Sequence, residues 1–155
     1  MEIEKLGVIG AGQMGAGIAQ VAAMAGIEVW VNDIADEYIQ GGLDRIGADL
    51  DRLVAKERID AATATAARER LHKAPALADL AGVEFVIEAA TEREDLKLGL
   101  FAKLDKVVEK KTVLATNTSS IPITRIGGVT FRPDKVIGMH FMNPVPVMKL
   151  VEVIR

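Results

Sequence analysis

The strongest constraint on this chain is a glycine turn set between two segments of different period. Lys5 to Ile9 is a short apolar run, Gly10-Ala-Gly-Gln-Met-Gly15 follows it, and from Gln13 to Ala25 the apolar residues Met14, Ile18, Val21, Ala22 and Ala25 recur at helical spacing. A brief continuous apolar run bounded by glycine reads as a strand buried on both faces. The repeat behind it reads as a helix packed along one side, with Gly26 as its terminator. Ile27 to Asp33 returns to strand character. A strand, tight turn, helix and strand in that order close into a right-handed parallel unit, so the opening third already commits the chain to an α/β architecture.

The remainder extends that pattern. Asp36 to about Glu57 carries Ile39, Leu43, Ile46, Leu50 and Leu53 at alternating steps of four and three, the signature of an amphipathic helix. Asp60 can cap a second, alanine-rich helix reaching Leu71, so residues 36–71 are expected to form a helical hairpin inserted between strands. A partner-binding coiled coil is the alternative, but the apolar seam is too short to sustain heptads. Val83 to Ala90 reads as the next strand, Asp95 to Val108 as a helix with Leu98, Phe101, Leu104 and Val108 inward, and Thr112 to Thr116 as a further strand. A short helix fits Pro122 to Ile126, with Ser120 as an alternative N-cap. Val136 to Phe141 and Lys149 to Ile154 are strand-like runs separated by Asn143-Pro-Val-Pro146. No crossover helix fits between them, so one is expected to run antiparallel or at an edge. The expected fold is a Rossmann-type, doubly wound, mostly parallel sheet forming one domain over residues 1–155.

Composition narrows the function classes. Half of the 155 residues are apolar, enough for one ordinary core. Net charge is −3 with both signs interspersed, which leaves no footprint for a polyphosphate backbone, so nucleic acid is not an expected partner. The absence of cysteine removes disulfides, thiolate chemistry and cysteine-based zinc sites, and no metal site is expected. The N-terminal segment has neither a basic leader nor a long apolar stretch, so no membrane partner is expected and the cytoplasm is the default compartment.

The glycine turn suits a dinucleotide. Gly10 permits the turn, Gly12 lets backbone approach a pyrophosphate, and Gly15 lets helix pack closely on strand. The helix N-terminus then presents unpaired N–H groups to the anion. Asp33 ends the second strand, where a carboxylate accepts from a ribose 2′-hydroxyl and repels a 2′-phosphate, which favours NAD over NADP. FAD is disfavoured, because the chain offers no second strand set to enclose its ring. Glu92, Lys97, Asn117 and Ser119 fall at the carboxyl ends of later strands or at the start of the following helix, on the crevice side of such a sheet.

An acid–base device closes the chain. His140 is one of two histidines; the other, His72, lies where the hairpin is expected to end and reads as a surface residue. A ring nitrogen of His140 can take the proton of an alcohol as hydride leaves its carbon, provided that a carboxylate fixes the ring and supports the cation. Glu152, an isolated carboxylate in an apolar strand, needs such a partner, and Asn143 can bond the substrate oxygen beside them. A buried core histidine is the competing reading of His140.

Taken together, the glycine motif with Met14 at its fifth place, Val86-Ile-Glu-Ala-Ala90 followed by Glu92, Asn117-Thr-Ser-Ser120 and His140-Phe-Met-Asn-Pro-Val-Pro-Val-Met-Lys-Leu-Val-Glu152 resemble the NAD-binding domain of the 3-hydroxyacyl-CoA dehydrogenase family, bacterial 3-hydroxybutyryl-CoA dehydrogenases included. The resemblance covers essentially the whole chain. It implies reversible hydride transfer between C3 of an (S)-3-hydroxyacyl-CoA and NAD, with His140 as base and Glu152 as its orienting carboxylate. It assigns Ser119 and Asn143 to the 3-hydroxy or 3-keto group and Asp33 to the adenosine ribose. Gln13, Met14, Ala89, Glu92, Lys97 and Asn117 fall with the glycines among the cofactor contacts, and Lys56 in the hairpin matches a lysine that meets the CoA phosphates. Family members continue into a largely helical C-terminal domain that closes the substrate cleft, adds an active-site asparagine and forms most of the dimer interface. The chain stops at Arg155, so the expectation is the NAD-binding domain without that partner domain: a shortened form, a proteolysed product or one chain of a split enzyme. The rival expectations are a sugar-acid dehydrogenase of the gulonate type and a nucleotide-binding domain without catalysis.

Overall fold

Seven strands form one sheet in the computed structural model, which describes residues 1–155. The strands are β1 (Lys5–Ile9), β2 (Glu28–Asn32), β3 (Leu71–Lys73), β4 (Phe85–Glu88), β5 (Val113–Thr116), β6 (Val136–Phe141) and β7 (Val151–Ile154). Five α-helices connect them: α1 (Gln13–Met24), α2 (Asp36–Ala55), α3 (Ala61–Glu69), α4 (Glu94–Val107) and α5 (Ile123–Gly127). The spatial order is β3-β2-β1-β4-β5-β6-β7, parallel through β6 with β7 antiparallel at the edge. The order reverses between β1 and β4, and a crevice opens at that point beyond the carboxyl ends of the strands.

The central strands form because both of their faces are covered. Leu6, Val8 and Ile9 of β1, Val86 and Ile87 of β4 and Leu114 and Ala115 of β5 are all buried. On one face α1 and α2 close over them with Ile18, Ile39, Ile46 and Leu50; on the other α4 contributes Phe101 and Leu104. Arg132, from the loop before β6, is buried under the end of α4, where it donates to the Asp105 carboxylate at 2.6 Å and to the carbonyls of Asp105, Val108, Glu109 and Thr112. A cation there satisfies carbonyls that the end of a helix leaves unpaired.

The hairpin is present, capped at α3 by Asp60 accepting from the Thr63 N–H at 2.7 Å, but it ends differently from expectation. The second helix stops at Glu69 and does not reach Leu71, which opens β3 (Leu71–Lys73), parallel to β2, so α2 and α3 are the crossover between two neighbouring strands. The ladder continues on either side, with Val29 N donating to Arg70 O and Ala74 N to Val31 O, both at 2.8 Å. His72 sits on this edge strand, half-buried, its Nε2 2.8 Å from Glu28 and its ring centroid 4.7 Å from that of Trp30. No helix is long and apolar enough to cross a membrane.

Candidate active site

At the switch point the backbone itself demands glycine. Gly10 has φ +98°, and a Cβ there would lie 2.6 Å from the Ala89 carbonyl oxygen. At Gly15 a Cβ would fall 1.6 Å from the Gly10 carbonyl oxygen, so strand and helix approach too closely for any side chain. Gly12 differs: a Cβ would meet nothing within 4 Å, so the protein's own packing does not impose that glycine. The empty space lies in front of α1, whose N-cap is Gly12 with no side-chain cap and no acidic residue in the first turn. Unpaired N–H groups facing open space are what a pyrophosphate requires.

Asp33 is fixed beside this turn. Its Oδ2 accepts from Ala11 N at 2.8 Å and its Oδ1 from Ile34 N at 2.7 Å. Gly10, Gly12, Asp33, Ala89 and Lys97 border a cleft of about 730 Å³. Ile34 and Leu96, both exposed, supply apolar surface to the same cleft. The residues present therefore fit a dinucleotide: an uncapped helix end, a pinned carboxylate and apolar surface in one groove.

The loops after β4 and β5 are joined by polar side chains. Lys97 is 1% exposed and lies 3.1 Å from Glu88 and 3.0 Å from Glu92. Glu92 also accepts from Thr118 Oγ1 at 2.7 Å and Ser120 Oγ at 2.8 Å. Partial burial works against its ionisation, yet the bonds from Thr118, Ser120 and Lys97, with the charge of Lys97, hold its pKa below the usual carboxylate range. Ser120 is thus a partner of Glu92 and not an N-cap; α5 starts at Ile123, and its N-cap is Pro122, with no side-chain cap bond. Ser119 is exposed on the same loop. Asn117 Oδ1 accepts from Phe141 N at 2.8 Å, which ties the end of β5 to the end of β6 beside His140.

His140 is not a core residue. Its side chain is 30% exposed, and Nδ1 lies 3.6 Å from Glu152 Oε2, an ion-pair separation longer than a hydrogen bond. The two residues are directly opposed in the β6–β7 ladder. Asn143 is exposed on the connecting turn, which contains a cis Asn143–Pro144 peptide. Buried Val145 anchors that turn on α1: a Cβ at Gly17 would lie 2.9 Å from the Val145 Cβ. Lys56 is exposed at the C-cap of α2, and neither it nor Ser119, His140, Asn143 and Glu152 lines the cleft beside the glycine turn.

Sequence reasoning overlooked three residues. Glu88, fully buried, is an isolated carboxylate in an apolar strand, the same signal that singled out Glu152. Thr118, 2% exposed, bonds Glu92. Gly42 lets α2 reach the glycine turn, since a Cβ there would be 2.7 Å from the Ala11 carbonyl oxygen, and helical periodicity carries no sign of that approach.

The family described as 3-hydroxyacyl-CoA dehydrogenase, NAD binding domain, matches residues 5–155. A 3-hydroxybutyryl-CoA dehydrogenase of Bradyrhizobium diazoefficiens is 47% identical over 153 residues, covering 99% of this chain and 52% of the relative. A 3-hydroxyadipyl-CoA dehydrogenase of Escherichia coli is 44% identical over 154 residues, covering 99% of this chain and 32% of the relative. The crystal structure of an (S)-3-hydroxybutyryl-CoA dehydrogenase from Ralstonia eutropha matches with a TM-score of 0.96 at 45% identity, over 98% of this chain and 54% of the other. The chain thus spans about half the length of the 3-hydroxybutyryl-CoA dehydrogenases that it resembles.

Proposed function

The chain belongs to the 3-hydroxyacyl-CoA dehydrogenase family, as its NAD-binding domain, and from that premise we propose that it is the cofactor-binding and proton-transferring part of an NAD-dependent enzyme interconverting (S)-3-hydroxyacyl-CoA and 3-ketoacyl-CoA. The observation that carries the reading is His140 opposite Glu152 at the carboxyl end of the sheet, joined through Asn117 to the loops beside the glycine turn. The short-chain substrate, 3-hydroxybutyryl-CoA with acetoacetyl-CoA as its partner, is favoured by the activity named for the relatives from Bradyrhizobium and Ralstonia.

The turn residues Gly10, Gly12, Gln13, Met14 and Gly15 would hold the pyrophosphate and Asp33 the adenosine ribose, in preference to a 2′-phosphate. When bound, NAD supplies the acceptor for the electron pair that leaves C3. Glu152 faces Nδ1 of His140 and so favours the proton on that nitrogen, which leaves Nε2 free to take the proton of the substrate hydroxyl. The carboxylate then supports the imidazolium that forms. Ser119 and Asn143, exposed on neighbouring loops, would hold the substrate oxygen in place. Lys56 would attract the CoA phosphates from the hairpin, and the helical half of the family would close the cleft and form the dimer.

The test joins this chain to the C-terminal half of a 3-hydroxybutyryl-CoA dehydrogenase and follows NADH consumption with acetoacetyl-CoA. Turnover supports the proposal. Turnover of a sugar acid without acetoacetyl-CoA turnover replaces the substrate, and NADH binding without turnover of either leaves a cofactor-binding domain without catalysis.

A further inference from the structure

The connection between β6 and β7 carries Asn143 and leads to Glu152, yet little fastens it to the rest of the protein. Its backbone hydrogen bonds are internal: Val147 N and Met148 N both donate to the Pro144 carbonyl, at 3.1 and 2.9 Å. β7 beyond it is an edge strand whose one neighbour is β6, and none of its residues is buried. Val145, 6% exposed, is the single buried residue between Met139 and Arg155, and it joins the core cluster that α1 helps to form. A segment so exposed keeps its place only through what it buries.

The seat for Val145 is a missing side chain. Glycine weakens a helix interior, so a glycine there calls for a packing reason. At Gly17 a Cβ would lie 2.9 Å from the Val145 Cβ, 3.3 Å from its Cγ2 and 3.4 Å from the Pro146 Cδ. Gly17 stands one helical turn, roughly 6 Å, behind Gln13, where α1 begins beside the glycine turn. The helix whose N-terminus faces the pyrophosphate thus also receives the turn that carries Asn143. We infer that Val145, seated at Gly17, is a positioning residue for the reaction: it sets Asn143 and Glu152 in register with the helix that holds the cofactor. The inference rests on the function proposed above.

Steady-state kinetics and NADH titration of the joined protein test it, well below each unfolding midpoint so that loss of folded protein does not enter. Gly17→Ala crowds the seat and Val145→Ala empties it; each should lower kcat for acetoacetyl-CoA roughly 10–100-fold, the cost of misplacing a reacting group by about 1 Å. The NADH dissociation constant should stay within about twofold, because the glycine turn and Asp33 are untouched. In the double variant the two losses should not multiply, since a side chain already displaced from its seat has little more to lose. Losses that multiply, or an NADH affinity that falls in step with kcat, overturn the inference. In the 155-residue chain, amide exchange over β7 should quicken in Val145→Ala while that over α1 stays slow, and unchanged exchange in β7 also overturns it. If Gly17→Ala does not fold, Val145→Ala decides by the same readouts. An unmodified joined protein without turnover overturns the proposed function and this inference together; ordinary turnover in it and in both variants overturns the inference alone.

Discussion

His140 and Glu152 form a directly opposed pair in the antiparallel ladder of β6 and β7, with Nδ1 and Oε2 3.6 Å apart. Strand pairing alone sets that separation, since opposed side chains on one face of a sheet stand close together. A small shift would convert the ion pair into a charge-assisted hydrogen bond once the ring is protonated.

In a protein that joins this chain to the C-terminal half of a relative, His140→Ala should lower turnover by roughly 10²–10⁴-fold, the usual worth of a positioned general base. NADH affinity should stay nearly unchanged. Glu152→Gln keeps the shape but loses the charge, and should fall in the same direction. Steady-state rates beside NADH titrations check both; near-normal turnover without His140 would leave the reaction without a base.

Asp33→Ala should weaken NAD binding by roughly 1.5–3 kcal/mol, the range for a hydrogen bond to a charged group. The same carboxylate holds Ala11 N, so part of that loss will reflect a looser turn. The unmodified chain should prefer NAD to NADP in titration calorimetry. Tighter binding of NADP would remove Asp33 from the ribose.

Lys56→Glu should raise the Michaelis constant for acetoacetyl-CoA in the joined protein and leave NADH binding alone, because Lys56 is exposed on the hairpin away from the glycine turn. The difference should shrink with added salt, since exposed charges are screened beyond about 8 Å at physiological ionic strength. A Michaelis constant that neither the variant nor salt changes would free Lys56 of any part in binding CoA.

Gly42→Ala tests a contact between helix and turn. Its Cβ would press on the Ala11 carbonyl oxygen at 2.7 Å and the Ala11 Cβ at 2.9 Å. Overpacking of this kind costs roughly 1–3 kcal/mol, which urea unfolding would read, and displacement of the turn should weaken NADH binding as well. Gly41→Ala is the control, for a Cβ there meets nothing within 4 Å.

Acid should loosen the hairpin through Asp60. Hydrogen bonds to Thr63, from its side chain first and its backbone N–H second, hold the Asp60 pKa below its ordinary value of 3.8. The folded form therefore binds its proton less readily than the unfolded chain, and the cap contributes fully above pH 3.8. That contribution fades as pH falls through the lower folded value. Asp60→Ala should lower the thermal midpoint at neutral pH, and the gap from the unmodified chain should narrow below pH 3.8. A gap that stays constant with pH would show that the carboxylate is not the capping group.

Local sequence determined the elements whose evidence is local. The strand, turn and helix from Lys5 to Ala25 are legible because periodicity and glycine chemistry act over a few residues, and the same holds for α2, α4 and the Asp60 cap. β3 was not legible: three residues carry no period, and Leu71–Lys73 become a strand only because β2 offers an unpaired edge. The site divides in the same way. Gly10, Gly15 and Asp33 could be read from their place at the ends of strands; the facing of His140 and Glu152 was also read, but for the wrong reason, since Glu152 is 55% exposed on an open edge strand and no burial demands a partner for it. Only the tertiary structure decided that Lys97 lies between Glu88 and Glu92, that Ser120 serves Glu92 in place of α5, and that Gly42 must be bare where α2 meets the turn. Those relations join residues far apart in the chain, and the burial that makes them necessary exists only once the sheet has closed.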